Sequence, residues 1–256
     1  MATIIPIPAF TDNYIWMICE GSHAAVVDPG DAAPVEARLI ADGLELTAIV
    51  ATHHHGDHVG GIAALTRERD IPVFAPAGER VAGATRRVRE DDRFELPGIG
   101  VALRVLDIPG HTAGHIACVA DDAGWLFCGD TLFAAGCGRL FEGTPEQMWS
   151  SLSKLAALPA ATKVYCGHEY TLANLRFAAA AEPGNAEIAS RSVRERAKRD
   201  RGEPTLPTTI GIELATNPFL RANLDALASS AAAHAGRVLR STVEVFAELR
   251  RWKDGF

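Results

Sequence analysis

The sequence predicts an α/β layered domain over residues 1–168, followed by an all-helical domain over residues 169–256. Two observations carry this division. Up to residue 168, short apolar runs of strand length alternate with helix-periodic stretches, and residues able to bind metals sit where those runs end. Beyond it the texture becomes alanine-rich and helix-periodic, and no convincing strand pattern remains.

Residues 4–8, 14–19 and 24–27 read as short strands. Pro34 opens a helix whose Val35, Leu39 and Ile40 are expected to face inward, and Gly43 closes it, with proline just inside the start and glycine past the end. An apolar run ends at Ala51; residues 62–69 read as a second helix and 72–75 as a strand. Residues 101–127 are strand-rich, 145–158 helical, and 163–166 a last strand. Helices are then expected over 172–181, 186–199, 220–233 and 238–252, with Gly202-Glu203-Pro204-Thr205-Leu206-Pro207 as a break.

Composition narrows the class. Hydrophobic residues make up 48% of the chain, enough for a sizeable core. The net charge of −7 argues against a nucleic-acid partner. That charge is uneven: residues 1–168 hold 12 Lys and Arg against 21 Asp and Glu, whereas residues 169–256 hold 13 against 11. A slightly basic helical region beside an acidic one suits a small anionic substrate. No apolar run has the length to cross a bilayer, and the start lacks a basic segment with a cleavage site, so no membrane role and a cytoplasmic location are expected. The five cysteines (Cys19, Cys118, Cys128, Cys137 and Cys166) lack Cys-x-x-Cys spacing and are expected to be buried, reduced thiols.

The most informative stretch is Thr52-His53-His54-His55-Gly56-Asp57-His58, which follows directly on the apolar Ile49-Val50-Ala51. His53 and His55, two apart on extended chain, can project the same way, while Asp57 and His58 cross the following turn. Three imidazoles and a carboxylate suit zinc or iron better than calcium or magnesium. A solvated histidine-rich turn would explain this loop alone. It does not explain three more of the same kind: His111 in Pro109-Gly110-His111-Thr112, Asp130 in Cys128-Gly129-Asp130-Thr131 and His168 in Cys166-Gly167-His168-Glu169, each after a short apolar strand.

This set resembles the metallo-β-lactamase superfamily, and the flanking words resemble its hydroxyacylglutathione hydrolases, also called glyoxalase II. They are Phe10-Thr11-Asp12-Asn13-Tyr14, Val27-Asp28-Pro29-Gly30, Gly129-Asp130-Thr131-Leu132-Phe133, Ala135-Gly136-Cys137-Gly138-Arg139, Gly167-His168-Glu169-Tyr170-Thr171 and Leu249-Arg250-Arg251-Trp252-Lys253-Asp254. The resemblance implies an αβ/βα sandwich with a C-terminal helical glutathione-binding domain. It implies two divalent metal ions, zinc first and iron or manganese with the same donors. His53, His55 and His111 would hold one ion, Asp57, His58 and His168 the other, and Asp130 would bridge them.

The implied reaction is hydrolysis of S-(2-hydroxyacyl)glutathione, such as S-D-lactoylglutathione, by a metal-bridging hydroxide. Asp57 and Asp130 would be the catalytic carboxylates. Arg139, Phe141, Tyr170, Arg250 and Lys253 occupy the glutathione-contacting positions, with a monomer expected. Arg139 stands where some relatives have lysine, and Phe141 where some have tyrosine, which removes a hydroxyl. Arg250 and Lys253 are three apart and share a helix face, whereas Arg251 is rotated away; a basic helix terminus answering the dipole is the plainer reading of that pair. Other hydrolases of the same fold, such as lactonases and β-lactamases, and mononuclear iron enzymes are the competing functions. His54 is expected to face away from the ligands, His115 to be structural or to support them, Asp28 to anchor a turn, Cys137 to be structural, and His23 and His234 to be inert.

Overall fold

The computed structural model describes all 256 residues. They form two compact units: Met1–Asp107 with Ala113–Gly129, and Ile108–Thr112 with Asp130–Phe256.

The first unit opens with three antiparallel strands, β1 (Thr3–Ala9), β2 (Asn13–Glu20) and β3 (His23–Val27). Strands β4 (Glu45–Val50), β5 (Val73–Pro76) and β6 (Arg86–Val88) then extend the sheet in parallel. The crossover from β3 to β4 is helix α1 (Ala32–Asp42), capped by the Asp31 carboxylate at the Ala33 N–H (3.0 Å) and ended by Gly43 in the left-handed region (φ 63°), where a side chain would be strained. Val35 and Leu39 are buried against the sheet, but Ile40, expected to face inward, is 80% exposed. It sits about 100° round the helix from Leu39, off the buried stripe.

One-turn helices α2 (Gly56–Val59) and α3 (Ile62–Leu65) follow β4. The helix expected over 62–69 stops early, at Leu65, and the chain leaves it in turns closed by the Arg67 N–H on the Ala64 carbonyl and the Arg69 N–H on that of Thr66. The unit ends in an antiparallel meander, β7 (Arg93–Leu96), β8 (Val101–Asp107), β9 (Ile116–Ala120) and β10 (Trp125–Gly129).

The second unit contains a small hairpin, β11 (Leu132–Phe133) and β12 (Gly136–Cys137), then helix α4 (Pro145–Ala156) behind a capping box of Thr144 and Gln147. Strand β13 (Lys163–Cys166) is followed by α5 (Thr171–Ala181) and α6 (Ala186–Asp200). Contrary to the expectation of helices alone after residue 168, β14 (Thr208–Thr209) pairs antiparallel with β13, and helix α7 (Ile210–Thr216) follows it. The last helices, α8 (Asp225–Ala235) and α9 (Thr242–Asp254), start later than expected from residues 220 and 238. Asn217-Pro218 turns the chain first, with the Asn217 side chain accepting from the Phe219 N–H, and Ser241 caps α9 at the Glu244 N–H. Phe177, Phe219 and Phe246 fill this unit's core, with Trp252 edge-on to Phe177. No helix is long and apolar enough to cross a membrane.

Candidate metal centre

Four of the sequence-predicted ligands lie in the first unit and three in the second. In the first, β4 runs into Thr52 and His53, and α2 turns at once so that His55 serves as its N-cap and Asp57 and His58 fall in its first turn. His53 and His58 are buried, and their rings lie 4.2 Å apart. His53 Nε2 faces His55 Nδ1 at 3.2 Å. Two nitrogens about 2.05 Å from one tetrahedral ion would be spaced by about 3.3 Å, so this pair is set for a shared metal.

The second ring nitrogens fix the tautomers. The Asp28 carboxylate accepts from the Thr52 N–H (2.7 Å) and hydroxyl (2.8 Å) and lies 3.1 Å from His58 Nδ1. A carboxylate only accepts here, so His58 carries a proton on Nδ1 and turns Nε2 towards Asp57 Oδ2, 3.5 Å away. The Thr52 proton is spent on Asp28, so the Thr52 oxygen accepts from His53 Nδ1 (3.0 Å), freeing Nε2 in the same way. Asn13 holds Asp57 from the side, donating to Oδ2 at 2.9 Å. Asp28, His53 and His58 could be read as a donor triad. With both its oxygens engaged, Asp28 instead orients ligands, a role the sequence reading reduced to a turn.

The other histidines of this unit stand aside. His54 turns to Glu79 (Nδ1 to Oε2, 2.9 Å), and buried His115 stacks on His53 at 4.5 Å while donating from Nδ1 to the Ile116 carbonyl.

In the second unit, His111, Asp130 and His168 are all buried. Both imidazoles point Nε2 at one carboxylate oxygen, Asp130 Oδ2, at 3.6 Å from His111 and 3.2 Å from His168. His111 donates Nδ1–H to the Arg139 carbonyl (2.9 Å), which leaves Nε2 to face the anionic oxygen. Ring nitrogen opposite carboxylate, here and at His58 with Asp57, is a donor set that a cation can join. Histidine and carboxylate donors so placed fit a divalent metal. The chain threads this corner without clearance: a Cβ on Gly138 would come within 1.9 Å of the Asp130 carbonyl oxygen.

The substrate-contact candidates also lie in this unit. Tyr170 stacks on His168 (4.7 Å, 5° between planes), and exposed Phe141 and His111 meet edge-to-face with ring centroids 5.2 Å apart. Arg139, largely exposed, is 3.5 Å from Asp254. Burial holds the Lys253 amine below the usual lysine range, with Arg250, Arg176 and Arg139 adding to the effect and Asp254 opposing it. Arg250 behaves differently: it is 6% exposed, donates to the Cys137 carbonyl (2.8 Å) and to Asp254 (3.0 Å), and lies over the Phe219 ring. Arg251 is exposed and pairs with Glu248. His234, expected to be inert, ties α8 to α9 through Glu248 (2.7 Å) and a stack on Trp252 (4.3 Å).

Residues 9–168 match the family model described as metallo-beta-lactamase superfamily, and residues 169–256 match that described as hydroxyacylglutathione hydrolase C-terminus. A hydroxyacylglutathione hydrolase from Alkalilimnicola ehrlichii is 60% identical over 256 residues, covering 99% of each chain. The chain belongs to the hydroxyacylglutathione hydrolase family. Among solved structures, ETHE1 from Myxococcus xanthus aligns over 98% of this chain and 91% of its own, at 23% identity and a TM-score of 0.68. TTHA1623, solved in a di-iron-bound form, aligns over 84% of this chain and 99% of its own, at 26% identity and a TM-score of 0.61. The fold is therefore the metallo-β-lactamase αβ/βα type with the helical C-terminal part of the hydroxyacylglutathione hydrolases. Its histidine and aspartate clusters are the metal-binding groups that such a fold presents.

Proposed function

We propose that the chain hydrolyses S-(2-hydroxyacyl)glutathione, with S-D-lactoylglutathione as the type substrate, to the 2-hydroxy acid and glutathione. One observation carries the reading: His111, Asp130 and His168 share a unit with a cationic group of Arg139, Arg176, Arg250 and Lys253 that has Asp254 as its carboxylate partner. A tripeptide with two carboxylates suits such a group. The matches to this family over the whole chain support the same reaction.

In this reading His53, His55 and His111 would hold one divalent ion and Asp57, His58 and His168 the other, with Asp130 available to both. The domain of residues 1–168 supplies all seven donors, and that of residues 169–256 adds Tyr170 and Lys253 to the substrate contacts. A pair of divalent ions held there, zinc in the simplest case, would supply a hydroxide nucleophile at neutral pH and polarise the thioester carbonyl. Asp57, kept in orientation by Asn13, would help to orient that hydroxide. Arg139 and Lys253 hold the glutathione carboxylates, Tyr170 and Phe141 flank the bound tripeptide, and Arg250 braces the loop at Cys137. The leaving thiol has a pKa of about 8.5, so the thiolate departs without a dedicated acid. Five buried free cysteines fit a reducing cytoplasm, and the proposed working form is a monomer.

Steady-state assays on S-D-lactoylglutathione, a small acyl thioester lacking glutathione, and a chromogenic β-lactam test this. High kcat/KM on the first alone supports the reading; turnover of the β-lactam with none of the thioester overturns it.

A further inference from the structure

A fully buried polar network in the helical part grips the β11–β12 hairpin from behind. At its centre Glu213 of α7, with no exposed surface, accepts from the Ala135 N–H (2.7 Å) through Oε2, and through Oε1 from Arg191 (2.7 Å) and the Thr208 hydroxyl (2.7 Å). Asn217 donates to the carbonyls of Phe133 (3.1 Å) and Gly136 (2.9 Å), and Asn174 to that of Ala134 (3.0 Å). Ala135 lies in the left-handed region (φ 54°), a conformation that a non-glycine residue keeps only when its surroundings hold it.

This hairpin and the residues flanking it border each of the second unit's three donors. Asp130 precedes it by two residues; the Arg139 carbonyl just after it fixes the tautomer of His111; and Phe133 within it sets its ring 5.9 Å from His168 at 85°. We infer that Glu213 is a positioning residue for the metal centre, acting through Ala135 and the hairpin. Resting on the dinuclear reading above, this makes metal affinity depend on a residue that touches neither metal nor substrate. The hairpin's twist has to be right for Asp130 and the Arg139 carbonyl to arrive together, and the bond at Ala135 sets that twist.

The test separates the hairpin acceptor from the buried ion pair. Replacing a buried pair by neutral side chains of similar volume is often tolerated, so two double variants, R191M/E213Q and R191M/E213L, remove the charges together. The first keeps a carbonyl oxygen for the Ala135 N–H; the second does not. Zinc affinity is measured by chelator competition, with Leu227→Ala in the α8 core as a variant of comparably lowered Tm. R191M/E213Q and L227A are expected to hold zinc nearly as the wild type does, and R191M/E213L roughly 10- to 100-fold more weakly. Equal affinity in the two double variants, or an equal loss in L227A, overturns the inference. A wild type that takes up no zinc would instead sink the dinuclear reading on which it rests.

Discussion

Asp28 Oδ2 lies 3.1 Å from His58 Nδ1, and the same carboxylate takes both donors of Thr52. Asp28 itself sits at φ 53°, a conformation that asparagine also tolerates, so Asp28→Asn probes the charge without straining the backbone. The amide presents one oxygen and one donor group where the carboxylate offered two acceptors, so at least one of the three bonds is lost. Metal affinity is expected to fall by roughly 10- to 100-fold, with about 1–3 kcal/mol of stability lost. Chelator competition and thermal unfolding read the two effects separately.

Arg250 and Lys253 share a helix face, yet different outcomes are expected for them. Arg250→Ala removes the bonds to Cys137 and Asp254 and leaves the Cys137 carbonyl unsatisfied, so a loss of about 1–3 kcal/mol in stability is expected together with a higher KM. Lys253→Ala and Arg139→Ala leave the fold nearly intact. Each raises KM on the glutathione thioester by roughly 10-fold or more and spares a small thioester, because the lost contact is shared by ground and transition states. Denaturant melts beside kinetics on both substrates check the split.

Lys253 also gives a pH dependence. Its amine is held below the lysine value of 10.5, first by burial and then by three arginines. Between the lowered folded value and 10.5 the unfolded chain binds more protons than the folded one, so this group makes stability rise with pH across that window. Lys253→Met should remove that rise and stabilise the free protein at neutral pH while weakening glutathione binding. Tm against pH for the two proteins checks the sign.

The thiols are expected to be inert. Burial pushes the Cys137 thiol up to about 11 and raises Cys19, Cys118 and Cys166 as well, and all five cysteines are buried and free. Iodoacetamide at pH 8 should leave the native protein unmodified and label five sites after denaturation, as counted by intact mass.

The donors were legible in the sequence because their types are rare at strand ends and because four loops repeat the pattern. What stayed hidden depends on tertiary partners. Asp28 reads as a turn residue until Thr52 and His58 are seen to converge on it. Glu213 carries no signal in the sequence, and only its burial beside Arg191 gives it meaning. Ile40 looked inward because it is apolar, though one residue past Leu39 already leaves the buried stripe. The helix from Ile62 ends at Leu65 where periodicity would extend it, in turns that no apolar pattern encodes.

If the two donor groups work together as one dinuclear hydrolytic centre, activity follows metal content: the protein is stripped with a chelator and zinc titrated back while S-D-lactoylglutathione hydrolysis is followed. The expected result is no turnover in the stripped protein and activity that saturates at two zinc ions per chain. Full activity without metal, or saturation with none of the seven donors' variants affecting zinc uptake, would contradict it.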